Sequence, residues 1–476
     1  MSNQIGMIGI GTMGRNLALN IADKGYSVVG YDKDPSKVQL LNEQRHPKAK
    51  AVSSLQEFVS SLDHPRISIL LVPAGPPVDA VIHDLLPLLS AGDIIIDGGN
   101  SHFTDTNYRQ KELQKTGIIL LGMGISGGEA GARLGPCMMP GGSQEAYEKV
   151  KFILEPAAAH VNGDPCIAYL GPGSAGHYVK MVHNGIEYAL MQMIAETYEI
   201  LKSGLNFTDD DLHQIYQQWN KGKLNSFLIE ITAQIFIKKG ERGKRLIDVI
   251  LDVAKQKGTG MWTSQNAMDL QVPVPAIDMA VAMRDLSKIK HQWQLNQHQE
   301  LKGPSLTENG NRNQFLKQLE NALYMGFLLA YEQGMTLLSV ASQNYHYQLD
   351  LETIAKIWRG GCIIRSALLE KIRQAYHQNP HLETLLKDAK IDQELSAFQA
   401  DLRAIVIAAT KWGIPVPGLM ATLSYYDAYR GSWLPTNLIQ AQRDCFGAHT
   451  YERVDMPGIF HTEWQSKVND GHAYGD

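Results

Sequence analysis

Short apolar runs recur through the first third of the chain, at residues 4–10, 27–31, 67–72, 93–97 and 118–122. Runs of that length, with helix-like segments such as 16–22 between them, predict strands buried on both faces of a parallel sheet. Residues 1–173 therefore read as a doubly wound α/β domain of Rossmann type. Beyond them a 3.6-residue apolar period predicts a large all-helical domain over 174–431. This region repeats an order of landmarks: Asn184, Trp219 and Asn225-Ser226-Phe227, then Asn321, Trp358 and Arg365-Ser366-Ala367. That order suggests an internal duplication. From 432 to 476 the chain turns polar and turn-rich, as expected of a C-terminal tail that wraps over a neighbour.

One helical stretch, 176–202, stands apart. Val179, Met181, Val182, Ile186, Ala189, Leu190 and Met193 make most of its circumference apolar, the mark of a buried helix. Yet Lys180, His183, Asn184, Glu187 and Tyr188 share one face. A solvated face with a Lys–Glu pair is one reading. A polar cleft is the other, favoured by the mixture of His, Asn and Tyr and by the glycine-rich lead-in at 171–176. The stripe is the candidate active site.

Gly9-Ile10-Gly11-Thr12-Met13-Gly14 follows the first strand and opens a helix, and Asp32 ends the second strand. In that context the glycines predict dinucleotide binding, with Gly9 for the turn, Gly11 for close approach of a pyrophosphate and Gly14 for helix–strand packing. Asp32, seconded by Asp34 across Lys33, would accept from a ribose 2′-hydroxyl and repel a 2′-phosphate, which leans toward NAD over NADP. Other strand ends carry Val72-Pro73-Ala74-Gly75, Gly98-Gly99-Asn100-Ser101 and Ser126-Gly127-Gly128-Glu129. These serve either a binding rim or plain turns. Lys255-Gln256-Lys257-Gly258-Thr259-Gly260, with Arg284 near in sequence, reads on its own as a basic surface loop.

Composition narrows the field. With 44 Lys+Arg against 49 Asp+Glu, the net charge of −5 argues against a nucleic-acid binder. The four cysteines, Cys137, Cys166, Cys362 and Cys445, match no metal or redox spacing and read as scattered buried thiols in a reducing compartment. No membrane span is expected, and the absence of a basic residue before Arg15 argues against a targeting peptide. The expected location is the cytoplasm.

Taken together, six stretches resemble the decarboxylating 6-phosphogluconate dehydrogenase family. They are residues 94–101, 124–129, 176–188, 256–260, 358–366 and 438–444, which span nearly the whole chain in order. The resemblance implies a Rossmann-type domain, a duplicated helical domain, and a tail that threads the partner of a homodimer. It implies oxidation of 6-phospho-D-gluconate at C3, then decarboxylation to ribulose 5-phosphate and CO2. Lys180 matches the general base and Glu187 the acid that protonates C1 of the enediol after CO2 leaves. Asn100, His183 and Asn184 match residues that hold sugar hydroxyls, and Ser126, Gly127 and Gly128 the loop near the carboxylate. Tyr188, Lys257, Thr259 and Arg284 match a phosphate pocket, which displaces the surface-loop reading. Arg443 and His449 match tail residues supplied by the second subunit. No metal is expected, because protonated Lys180 can polarise the carbonyl.

Two places depart from the common NADP-dependent pattern of the family. Asp32-Lys33-Asp34 stands where Asn-Arg-Thr is usual, and Pro73 where a lysine usually follows Val72. NAD preference or dual use is therefore expected. Two other classes compete: a β-hydroxyacid dehydrogenase of a small unphosphorylated acid, and a non-catalytic dinucleotide sensor. The Lys257–Arg284–Arg443 set argues against the first, and the intact Lys180–Glu187 pair against the second.

Overall fold

The computed structural model describes residues 4–293 and 311–464. The first half alternates strand and helix: β1 (Gln4–Ile8), α1 (Thr12–Asp23), β2 (Ser27–Tyr31), α2 (Pro35–Asn42), β3 (Ala49–Val52), α3 (Leu55–Ser60), β4 (Ile67–Leu70) and α4 (Pro76–Leu85). It continues through β5 (Ile94–Asp97), α5 (Phe103–Gln114), β6 (Ile119–Ser126), α6 (Gly128–Leu134), β7 (Cys137–Gly141) and α7 (Gln144–Ala157). The strands form one sheet in the order β3-β2-β1-β4-β5-β6-β7. Only β7 runs antiparallel, pairing Ser126 with Cys137 and Gly122 with Gly141. Both faces are packed: Ile5, Met7, Leu17, Ile69 and Ile96 belong to one core cluster, Ile8, Val29, Phe58, Leu70 and Ile95 to another.

The long helix α8 (Ala175–Glu199) leaves this sheet and carries the polar stripe. Helices α9 (Asp209–Trp219) and α10 (Phe227–Ile237) follow, then α11 (Thr259–Asp269) and α12 (Pro275–Trp293). A second long helix, α13 (Arg312–Asn344), is again followed by two short ones, α14 (Leu351–Ile357) and α15 (Leu368–Gln378). The long–short–short order thus repeats, as the landmarks predicted. Its two halves bond reciprocally: Phe227 N donates to Arg365 O at 3.1 Å, and Ala367 N to Asn225 O at 2.9 Å. Helices α16 (Ala389–Trp412) and α17 (Pro417–Arg430) complete the helical part.

By compactness the chain divides into Met1–Leu423 and Ser424–Asp476. In the second unit α18 (Thr436–Gly447) precedes a small hairpin that pairs Tyr451 with Phe460. The buried Asp444 carboxylate organises it, accepting from Thr450 N, Thr462 N, Trp464 Nε1 and the ring of His461.

Three sequence expectations need correction. Strands β3 and β7 were not expected, and β6 runs to Ser126 instead of stopping near 122. Cys137, Cys166 and Cys362 are buried thiols, but Cys445 is exposed. Among the described residues, no helix is long and apolar enough to cross a membrane, and no group of His, Cys, Asp and Glu could hold a metal ion.

Candidate active site

The glycine loop between β1 and α1 has the three distinct environments that its spacing predicts. Gly9 takes φ +85°, a left-handed turn that a side chain would strain. A Cβ at Gly14 would lie 1.9 Å from Gly9 O, so α1 can approach β1 only because residue 14 has none. At Gly11, the N-cap of α1, nothing lies within 4 Å of an added Cβ. That open cradle, facing free N–H groups at a helix N-terminus, suits a pyrophosphate.

Two clefts meet there. One, of about 750 Å³, is lined by Gly11–Gly14, Val72–Gly75, Gly98–Asn100 and Lys257. The other, of about 270 Å³, runs past Gly11, Asp32, Lys33, Lys37 and Pro73. Their junction at Gly11, Val72 and Pro73 divides them as a dinucleotide divides at its diphosphate. Asp32 does more than its position in the sequence suggests. Its Oδ2 accepts from Ile10 N and its Oδ1 from Asp34 N, each at 3.0 Å, so the carboxylate closes the glycine loop from within. Lys37 Nζ lies 3.7 Å from it, and the exposed Lys33 pairs with Asp84 at 3.0 Å. Asp34 caps α2 by accepting from Ser36 N. His102, Asp105 and Trp262 also line the larger cleft. Sequence reasoning passed over them, although His102 directly follows the Gly98–Ser101 rim and Trp262 stands two residues after the Lys257–Gly260 segment.

The polar stripe of α8 is enclosed. Lys180 is 6% exposed, His183 0%, Asn184 8% and Tyr188 7%, which excludes a solvated face. The Glu187 side chain alone keeps an opening, at 21%. Lys180 Nζ donates to Asn184 Oδ1 at 2.6 Å, and Asn184 Nδ2 donates to Thr259 Oγ1 at 3.1 Å. Asn184 Oδ1 can only accept, so the His183 Nδ1 that faces it at 3.0 Å carries the proton. The bare Nε2 then accepts from Ser126 Oγ at 3.2 Å, while that hydroxyl accepts from Ile363 N. Burial pushes the Lys180 amine below its ordinary pKa, against the pull of Glu187. Burial likewise raises Glu187, against Lys180 and Arg284. His183 is driven well below its ordinary value by burial and then by Lys180, so it stays neutral.

Around the stripe gather segments distant in sequence. The Arg284 guanidinium stacks 3.6 Å over the Tyr188 ring and donates to Lys255 O. A Cβ at Gly260 would lie 2.3 Å from the same ring. Tyr188, Arg284 and the Lys255–Gly260 segment therefore converge, and Thr259 opens α11 behind a left-handed Gly258. Gly127 lies against Gly361 O, and Trp358 packs edge-on to His183 at 5.6 Å, so the 358–366 strap backs the site. Arg443 and His449 belong to the second unit, both exposed, on α18 and just beyond it.

Residues 4–171 match the family model described as the NAD binding domain of 6-phosphogluconate dehydrogenase, and residues 176–464 match the C-terminal domain of the same enzyme. The chain is 50% identical over 464 residues to a Bacillus subtilis protein named 6-phosphogluconate dehydrogenase, NADP(+)-dependent, decarboxylating, covering 97% of this chain and 99% of that one. It is 49% identical to the decarboxylating 6-phosphogluconate dehydrogenase of Escherichia coli, with coverage of 97% and 99%. The solved structure of the Plasmodium falciparum enzyme, studied with its cofactor NADP+ and its substrate 6-phosphogluconate, superposes with a TM-score of 0.91 at 42% identity, over 97% of this chain and 100% of that one. The chain belongs to the 6-phosphogluconate dehydrogenase family.

Proposed function

We propose that one face of α8 runs both proton transfers of this family's reaction, with Lys180 as general base and Glu187 as general acid. The chain oxidises 6-phospho-D-gluconate and decarboxylates it to D-ribulose 5-phosphate and CO2. The dinucleotide, cradled by Gly9–Gly14 and the Val72–Gly75 and Gly98–Asn100 loops, supplies the hydride acceptor. Neutral Lys180 removes the C3 hydroxyl proton as C3 is oxidised. As an ammonium it then polarises the C3 carbonyl oxygen, so that electrons from the breaking C–C bond have somewhere to go. Lys180 returns the proton to that oxygen. As protonated Glu187 delivers one to C1 of the resulting enediol, neutral Lys180 takes the hydroxyl proton back and leaves the ketone of the pentulose phosphate. Asn100, His183 and Asn184 hold sugar hydroxyls, and Ser126, Gly127 and Gly128 the carboxylate. Tyr188, Lys257, Thr259 and Arg284 take the phosphate.

The observation that carries this reading is the opposed tuning of two groups two turns apart on one helix. Burial disfavours the charged amine of Lys180 and the charged carboxylate of Glu187 alike, which is the state each role requires. A second feature supports a homodimer whose tail completes the site. The tail exposes Trp433, Leu438, Phe446 and Ile459, apolar area that a second copy would cover. For the cofactor we propose dual use with NAD favoured, because the Asp32 carboxylate stands beside the adenosine cleft. The test is turnover of 6-phosphogluconate against unphosphorylated gluconate, following reduced cofactor, CO2 and pentulose phosphate together. Equimolar products from the phosphorylated acid support the reading, and equal rates on both acids would overturn the phosphate pocket.

A further inference from the structure

Three residues that border the site without entering it form one connected assembly. Asp97 ends β5 with its carboxylate wholly enclosed. Its Oδ1 accepts from Gly99 N at 3.0 Å and its Oδ2 from Ser101 Oγ at 2.6 Å, which folds the Gly98–Ser101 loop back upon it. Arg109 of α5, 4% exposed, brings Nη1 to 3.3 Å from Ser101 Oγ and 3.6 Å from Asp97 Oδ2. With its other nitrogens it grips the neighbouring loop: Nε and Nη2 donate to the two Asp79 oxygens at 2.6 and 3.1 Å, and Nη2 donates to Gly75 O at 3.1 Å. One guanidinium fork therefore fixes both strand-end loops that line the larger cleft, Val72–Gly75 and Gly98–Asn100.

His177 ties these loops to the catalytic helix. It lies one turn before Lys180 on α8 and is 1% exposed. Its Nε2 faces Asp97 O at 3.0 Å; a carbonyl only accepts, so Nε2 carries the proton. Nδ1 is then bare and accepts from Thr106 Oγ1 of α5 at 2.7 Å. Burial holds the ring below its ordinary pKa, against the pull of Asp97, and so favours the neutral form, while its two partners set the tautomer. A Cβ on Gly122 would reach within 2.9 Å of this imidazole, so β6 leaves room for it as it does for Lys180.

We infer that Arg109, Asp97 and His177 are positioning residues, which set the nicotinamide-side loops at a fixed distance from Lys180 and so define the geometry of hydride transfer from C3. None of the three is assigned a contact with substrate. This inference rests on the proposed role of Lys180. The physical ground is that a displacement of about 1 Å costs on the order of 10²-fold in rate, while ligand affinity depends on contacts that such a displacement leaves in place.

The test compares His177→Leu with His177→Gln, whose amide can still donate from the ε position, and Arg109→Met with Arg109→Lys. Each is assayed with 6-phosphogluconate and with its C3-deuterated form, beside direct measurement of cofactor and substrate affinity. In His177→Leu and Arg109→Met we expect kcat lower by about 10- to 100-fold, affinities within about threefold, and a larger deuterium effect on kcat as hydride transfer becomes limiting. His177→Gln should recover part of both kcat and isotope effect, and Arg109→Lys, which keeps the charge but loses the fork, much less. Wild-type kcat with a wild-type isotope effect would overturn the inference, as would a loss explained wholly by fewer folded molecules at an unchanged isotope effect. Should the Arg109 variants not fold, Asp79→Asn weakens the same fork from its exposed side and must show a smaller change of the same kind. A wild-type enzyme that does not turn over 6-phosphogluconate would instead defeat the proposed function, a separate result.

Discussion

Lys180 packs its Cβ directly over Gly124 of β6, where an added methyl would come within 2.3 Å of it. The proposed general base is thus placed by an absence of side chain on the sheet beneath it. Gly124→Ala must push Lys180 away or bend α8. Overpacking of this kind costs about 1–3 kcal/mol. We expect Tm to fall by several degrees and kcat by more than tenfold in the molecules that still fold, measured by calorimetry and steady-state kinetics.

Asp32 and Lys37 lie 3.7 Å apart beside the smaller cleft, and the proposed cofactor preference rests on this pair. If Lys37 helps to hold a 2′-phosphate, Lys37→Ala should lower kcat/KM for NADP by about tenfold and leave NAD within about twofold, as expected for one charge-assisted contact. In the wild type kcat/KM for NAD should exceed that for NADP. A strong NADP advantage would show that Asp32, held by Ile10 N and Asp34 N, exerts little repulsion at the ribose.

Much of this fold was legible in the sequence, because its main signals are local. The strand–glycine loop–helix unit, the alternation of strands and helices, and the one-face stripe on α8 all follow from residues near each other in the chain. The early end given to β6 and the missed β7 share a cause: glycine and proline were read as punctuation. Gly122 and Gly124 looked like the end of a strand, yet β6 continues through them because they admit His177 and Lys180 of α8. Pro140 lies inside β7 and faces away from β6, where its carbonyl accepts from Leu170 N and its missing N–H costs no bond to β6. The second partners of Asp32 and the whole Asp97–Arg109–His177 assembly were invisible, since they join residues up to 80 positions apart. Only the folded chain brings these together.

Glu196, on α8 beyond the polar stripe, accepts from Gly418 N at 2.7 Å and Leu419 N at 2.9 Å at the start of α17. Burial raises its pKa to about 7, against the hydrogen bonds from Gln192, Leu419 and Gly418. A carboxyl raised in the folded state binds more protons there than in the unfolded chain between about pH 4.5 and 7. Its contribution is full below the unfolded value and is lost as pH rises through 7, by up to about 3 kcal/mol. Glu196→Gln should flatten the fall of Tm between pH 5 and 7.5; an unchanged slope would contradict this assignment.

Asp444 gathers four donors within the second unit, so Asp444→Ala should release the 450–464 segment. If the tail completes a partner's site, the variant loses most of its activity while the spectrum of its helical part stays intact. Full activity in that variant would separate the tail's order from catalysis.

The most direct test of the central claim is Lys180→Met, assayed for 6-phosphogluconate turnover alongside dinucleotide binding by fluorescence. Methionine keeps the apolar stem against Gly124 and removes only the amine. The account predicts a fall in kcat of at least about 10³-fold at every pH, with cofactor affinity unchanged. Turnover within tenfold of the wild type would contradict it, and the base would have to be sought elsewhere on the cleft.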